Sequence, residues 1–393
     1  MSSLANLLKP YNSEQFLEKN WTSKAIEIKN PGKKQFTDLF SWQKLNYLLN
    51  FHEFKYPELR LALDGKVQEA SANENIIKLC KEGATLIINK VNKLIPEVAT
   101  LAAEIQYEIG YGTQVNAYCS WPGKQGFSSH YDTHEVFILQ VEGKKEWKVF
   151  PETLKHPLVE QKSASLTPPD TEPYLSCILE AGDVLYIPRG HWHYALALNV
   201  PSLHLTLGVH SKTGIDFLEW MVSQLREQEE WRESLPLRFE KEPVEKHIES
   251  LIENLDKYLC HHNIAENYIN HLDSLGKPVA NYSLPQQAGF NIFFLGKETS
   301  FKIPQLQRVK IYPLVDGSEG CRIIFAGKEV SMKGLDCSFV EKLFAAEFFT
   351  GSDVIRWLPD FDWELDIVPF LNCLVMEGII FVETSSIYNP ENL

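Results

Sequence analysis

Between residues 113 and 210 the chain breaks into short runs, "TQVNAYCSW", "EVFILQVEG", "KEWKVF", "CILEAGDVLYIP" and "SLHLTLGVH", with glycine and proline between them. Short β-like runs punctuated by turn residues imply an all-β sandwich or barrel. Segment 152–176, "ETLKHPLVEQKSASLTPPDTEPYLS", is polar and proline-rich and reads as a loop.

The flanks have a different texture. Residues 1–105 read as mostly helical with short strands. The apolar spacing of Ile76, Ile77, Leu79, Leu86, Ile87, Val91 and Leu94 suggests helix from 75 to 109, stopping at Gly110 and Gly112. From about 214 to 275 helical spacing returns. Val244, Ile248, Leu251, Ile252, Leu255, Tyr258 and Leu259 form one apolar stripe, suited to core or dimer packing. From about 290, strands "FNIFFLG", "RVKIYPLV" and "CRIIFAG" precede helix-like "SFVEKLFAAEFF" and "SDVIRWLPDF", then "LVMEGIIFVE". Helix, helix, then a glycine-containing hairpin is winged-helix order. At 393 residues the chain exceeds one core. The expected division is therefore a domain over 1–212, a helical segment over 213–288, and a unit over 289–393. Within the first, residues 1–105 are the helical region and 106–212 the barrel.

Composition narrows the function classes. No apolar run approaches the ~18–20 residues of a membrane helix. The N-terminus lacks the basic, apolar, small-residue order of a signal peptide. Seven scattered cysteines, never spaced C-x-x-C, argue against a disulfide framework or structural zinc and for a reducing cytoplasm. The net charge of −14 argues against direct nucleic-acid binding. So do the 8 basic and 14 acidic residues of 301–393.

Candidate chemistry sits in two places. His130 and Asp132 form a His-x-Asp pair, which an extended strand would aim to one side. One more histidine nearby would complete a 2-His-1-carboxylate set, suited to Fe(II) with positions left open. His271-Leu-Asp273 repeats the spacing, but in a helical, polar setting that reads as a solvated surface pair. The second place is "PRGHWHYA", where strand alternation cannot separate His191 from His193. From Gly182 the spacing runs Gly, five residues, Pro188, one, Gly190, two, His193. Pro188 restricts φ and Gly190 tolerates positive φ, so the turn can aim the next strand inward.

That spacing resembles the second box of the cupin superfamily, and the resemblance assigns the ligand role to His193. Region 113–210 resembles the JmjC-type, cupin-fold 2-oxoglutarate oxygenases, most closely the ribosomal-oxygenase group of protein hydroxylases. The matching stretches are "NAYCSWPGKQGFSSHYDTHEVFILQVEGKKEW" and "GDVLYIPRGHWHYA". The resemblance implies an α+β chain: a double-stranded β-helix (cupin, jelly-roll) catalytic domain, a helical N-terminal region, a helical dimerisation segment and a C-terminal winged helix. It implies catalytic and metal ligands His130, Asp132 and His193. It also implies Lys145 as the 2-oxoglutarate lysine, and Asn116 and Tyr118 as cosubstrate contacts. Thr206 is a further carboxylate candidate; Lys144 would point away from the site. His204 reads as a satisfied core histidine and His191 as a rim residue near the iron. The chain departs from the family at His191, at Gly208, where a hydroxyl is common, and at Ala197, where the box has asparagine.

The expected activity is Fe(II)- and 2-oxoglutarate-dependent hydroxylation, with O2, of a protein or peptide side chain. A basic ribosomal protein fits the charge. The expected setting is a cytoplasmic homodimer without DNA or membrane contact. A non-redox metal-binding cupin and a ligand-sensing winged-helix regulator are the rival readings.

Overall fold

A computed structural model describes residues 3–384 except 31, 33–35, 238–240, 276–281, 305, 307–308, 315–316 and 326–327. The chain divides into two compact units, Met1–Ser211 and Lys212–Leu393.

The first unit is built on two antiparallel sheets. Its larger sheet takes strands β1 (Ile26–Ile28), β2 (Leu59–Leu63), β3 (Lys66–Val67) and β4 (Thr85–Ile88) from the N-terminal region. To these it adds β5 (Gly112–Ser120), β6 (Glu135–Glu142), β9 (Val184–Ile187) and β11 (Ser202–His210), in the order β1-β9-β6-β11-β5-β4-β2-β3. The smaller sheet runs β10-β7-β8, with β7 at Lys145–Glu152, β8 at Leu175–Leu179 and β10 at His191–Ala197. This is a cupin-type fold.

Alternation along each strand divides its side chains between two environments. On β6, Phe137 and Leu139 join the core made with the N-terminal helices, whereas Val136 and Ile138 meet Trp147, Val149, Cys177 and Leu179 of the small sheet. The helices of the first core include α1 (Ser3–Leu8), α2 (Ser13–Lys19), α3 (Trp42–Phe51) and α5 (Pro96–Ile109). Pro96 starts α5, where its missing N–H is no loss, and Gly110 at φ +83° ends it.

Two expectations need correction in this unit. The apolar spacing over 75–109 is not one helix. A short helix, α4 (Ile76–Glu82), stops at Gly83 (φ +104°), and the wholly buried strand β4 follows. The short strands read in the N-terminal region are four, and all join the main sheet. Second, His130 and Asp132 do not lie on a regular strand. They occupy the connection 121–134 before β6, where His130 makes an isolated bridge to His193.

The second unit begins with helices α6 (Gly214–Leu225), α7 (Lys241–His261) and α8 (Ile264–Ser274). A capping box between Thr213 and Asp216 starts α6, and Trp220, Met221 and Leu225 anchor a small cluster with Leu255, Tyr258 and Tyr268. Here the expected solvated pair is corrected. His271 stacks on Trp220, and Asp273, whose side chain is 10% exposed, pairs with Lys310 at 2.8 Å.

Two small sheets follow. One holds β13 (Lys310–Pro313), β14 (Gly320–Phe325) and β15 (Lys328–Lys333). The other orders β16 (Phe348–Thr350), β12 (Ser300–Lys302) and β17 (Phe381–Val382), with helices α9 (Cys337–Ala345), α10 (Gly351–Trp357) and α11 (Val368–Met376) between. "FNIFFLG" is turn and 3-10 structure rather than strand. The final segment is α11 followed by β17, which pairs with β12, so it is not a hairpin. Cys321 and Cys337 form a disulfide, contrary to the expectation from cysteine spacing. No described helix is long and apolar enough to cross a membrane.

Candidate functional site

A pair of backbone hydrogen bonds joins the two motifs: His130 N–H to His193 C=O at 3.1 Å, and His193 N–H to His130 C=O at 2.7 Å. The Gly190 N–H adds a third bond, to the Asp132 carbonyl at 2.9 Å. These bonds bring His130, Asp132 and His193 together, with one donor atom from each lying within 4.8 Å of the others. Nδ1 of His130 lies 2.8 Å from the Ser128 carbonyl, and Nδ1 of His193 lies 3.0 Å from the His191 carbonyl. With Nδ1 the donor in both rings, each Nε2 keeps its lone pair for a metal. His193 Nε2 and Asp132 Oδ2 are 3.7 Å apart.

Electrostatics favour the ligating forms. Burial, reinforced by His130, lowers His193 to about 4, so its ring is neutral at neutral pH. Burial pushes the Asp132 carboxyl up, but His134, His130 and His193 outweigh it and hold the group below its usual range. Two imidazoles and a carboxylate are a donor set that fits Fe(II).

The two histidines of "PRGHWHYA" part company through a register shift in β10. His191 stands opposite Glu152 but His193 opposite Val149, so a bulge lies between them. Simple alternation therefore fails here. His193 faces the cluster, whereas His191 places Nδ1 2.7 Å from the Tyr174 hydroxyl and Nε2 3.3 Å from Glu152. His191 is not among the residues lining the cavity, which corrects its reading as a rim residue.

The cluster opens on a cavity of about 190 Å³ between the two sheets. Lys145, Tyr118 and Thr206 line it; Asn116 does not. Lys145 reaches in from the small sheet, not from a strand beside His130. Its buried ammonium donates to Ser120 Oγ at 2.9 Å and lies 5.6 Å above the Trp147 ring. Burial lowers it to about 7 against slight opposition from Cys119. Lys144 instead pairs with Glu180 at the surface.

Tyr118 stacks on His204 at 5.0 Å, and burial, helped by the Asp132 charge, pushes its phenol up to about 12. Asn116 stands opposite Thr206, but its Oδ1 accepts from Lys90 N–H and from Gln114 Nε2. His204 lines the cavity, and its Nδ1 has no hydrogen-bond partner, so it is not a satisfied core histidine. At Gly208 an added Cβ would stand 2.6 Å from the His134 ring, which accounts for glycine where a hydroxyl is common.

Several lining residues escaped the sequence reading. Ser120 and Thr85 hydrogen-bond each other at 3.1 Å and extend the Lys145 contact. Trp147 meets His204 edge to face, and Arg60 stands on the far strand β2. Alternation carried a signal for two of them, because Ser120 shares a face with Asn116 and Tyr118, and Trp147 shares one with Lys145.

Residues 91–217 match the JmjC domain family. The chain is 31% identical to rat ribosomal oxygenase 1 over 250 residues, which covers 59% of this chain and 42% of that one. It is 32% identical to the Dictyostelium discoideum bifunctional lysine-specific demethylase and histidyl-hydroxylase NO66 over 221 residues, 53% of this chain and 42% of that one. The chain thus spans less than half the length of these curated relatives. In fold it is similar to YcfD, a ribosomal oxygenase from Escherichia coli solved with cobalt and 2-oxoglutarate. The TM-score is 0.62 at 18% identity, covering 95% of this chain and 99% of that one. Residues 91–217 thus resemble a JmjC domain, and over part of its length the chain is similar to ribosomal oxygenases.

Proposed function

We propose that the protein is a 2-oxoglutarate-dependent dioxygenase that hydroxylates a side chain of a protein or peptide, with a ribosomal protein as substrate. The observation that carries this reading is the His130, Asp132 and His193 cluster sharing one cavity with the buried Lys145. The names of the relatives support the substrate class.

His130, Asp132 and His193 would hold Fe(II), which supplies oxygen activation when bound. Lys145 binds the distal carboxylate of 2-oxoglutarate, and Ser120, itself bonded to Thr85, holds its ammonium in place. Tyr118 and Thr206 present hydroxyls to the same cavity. Trp147, Val136 and Ile138 exclude water around the bound cosubstrate.

Three finer readings go with this one. Exposed Ile248, Ile252 and Leu259 on α7, and Ile269 on α8, support segment 213–288 as a homodimer contact. The interleaving of β12, β16 and β17 with α9, α10 and α11 supports a winged-helix unit over 289–393. Its acidic excess argues against DNA as partner. Five of the seven cysteines stand unpaired, which supports the cytoplasm as the compartment against the single Cys321–Cys337 disulfide.

The test is iron content and succinate formation by the full chain. Replacing His130, Asp132 or His193 with Ala should abolish stoichiometric iron loading and cut 2-oxoglutarate turnover at least about 100-fold. Lys145→Ala should instead raise the KM for 2-oxoglutarate at least about tenfold while iron still loads. Undiminished turnover in the ligand variants would sink the proposal.

A further inference from the structure

Two cations line the cavity, and the distal carboxylate of 2-oxoglutarate engages only one. Arg60 lies on β2 between Leu59 and Leu61, both of which turn into the core under the helices. Alternation sends Arg60 the other way, onto the inner face of the large sheet. Pairing places it on one rung with Ile87, Tyr118 and His204 across β4, β5 and β11. Ser120, which holds Lys145, lies two residues further along β5, so the two cations belong to different rungs.

The guanidinium is poorly satisfied. One terminal nitrogen donates to Asn89 Oδ1 at 3.1 Å, and that amide is oriented by its own bond to the Pro57 carbonyl. Nε is buried without a hydrogen-bond partner. Among the described residues no carboxylate pairs with it. Leaving a charged donor unmatched beside a cavity is unfavourable unless a ligand supplies the acceptor. Tyr118 shares that rung with Arg60 and lines the same cavity as His130, Asp132 and His193.

We propose that Arg60 and Tyr118 form a substrate subsite that accepts a side chain bearing a hydrogen-bond acceptor, neutral or acidic, and excludes arginine and lysine. The subsite rests on the reading of the cavity as a 2-oxoglutarate oxygenase site. With Lys145 on the distal carboxylate of the cosubstrate, Arg60 is the remaining cation that an entering side chain meets. An imidazole nitrogen, an amide oxygen or a carboxylate completes its hydrogen bonding. A guanidinium or ammonium would instead meet a fixed like charge in a low-dielectric cavity.

The test uses the full chain loaded with Mn(II) and 2-oxoglutarate. Blocked tripeptides Ala-X-Ala, with X as His, Asn, Asp, Arg, Lys or Gly, are followed by paramagnetic broadening of the central residue's protons. The expected result is broadening for His, Asn and Asp at least about fivefold above Arg and Lys, a discrimination near 1 kcal/mol. Arg60→Gln should remove that discrimination, and Arg60→Lys should keep the exclusion of the cationic peptides.

Equal or stronger broadening of Arg or Lys peptides by the unaltered protein would overturn the subsite, as would broadening of no peptide above the Gly control. Both outcomes are read without any variant. A tenfold rise in the 2-oxoglutarate KM of Arg60→Gln would give Arg60 to the cosubstrate and overturn the subsite alone. Absence of any 2-oxoglutarate turnover in the iron-loaded, unaltered protein would instead remove the oxygenase reading beneath it.

Discussion

Lys145 is buried against Ser120 and Trp147, and among the described residues no carboxylate stands beside it. Burial therefore brings its ammonium from the ordinary 10.5 down to about 7. Between these two values the unfolded chain binds more protons at this position than the native protein does. Stability must then rise with pH across that window, and below about 7 the contribution has no slope. Lys145→Met should flatten this rise, as followed by urea unfolding at stepped pH. A bound carboxylate favours the charged ammonium, so 2-oxoglutarate binding above pH 7 should take up a proton. Calorimetry in buffers of different ionisation enthalpy reads that uptake, and Lys145→Met should abolish it. The identity of Lys145 was legible in the sequence through its place at the head of a strand and its match to the family motif. Its surroundings were not, because Ser120 reaches it from a strand 25 residues away and is itself bonded to Thr85 on a further strand.

At the scale of elements, the turn before β10 does the positioning. Gly190 sits at φ +85°, and an added Cβ would stand 2.9 Å from Pro157 and 3.0 Å from the Leu154 carbonyl. Gly190→Ala should destabilise the protein by about 1–3 kcal/mol, since both backbone strain and crowding act there. Because the same turn sends the Gly190 N–H to Asp132, the variant should also load iron less tightly, measured by metal titration. The barrel strands were legible as elements because alternation and turn residues are local. The stretch 75–109 was not. Its strand is only four residues, "TLII", all of them buried, and so short a run carries no period that separates strand from helix. The bulge in β10 was hidden for a related reason, since it is defined by the strand opposite.

For the whole molecule, α7 is the element that carries the proposed dimer contact. It spans 21 residues without burying any of them, although Leu255 and Tyr258 rest on the Trp220 cluster. Ile252 is 60% exposed in the middle of the stripe. If the stripe meets a second copy, Ile252→Glu should weaken the dimer at least about tenfold, seen as a concentration-dependent shift to monomer in light scattering. A monomeric unaltered protein would remove the dimer reading and leave the catalytic proposal untouched.

By itself the sequence pointed to the cupin-type scaffold and to His130, Asp132 and His193, which the structure brings into one cluster. Those features rest on spacing within continuous segments, where bonded geometry already restricts which side chains can meet. Tertiary structure alone decided that His191 turns away from the cluster to Tyr174 and Glu152. It also decided that Arg60 faces the cavity. Both outcomes depend on strand pairing between segments far apart in the chain, and neither register nor a bulge is encoded in one strand alone.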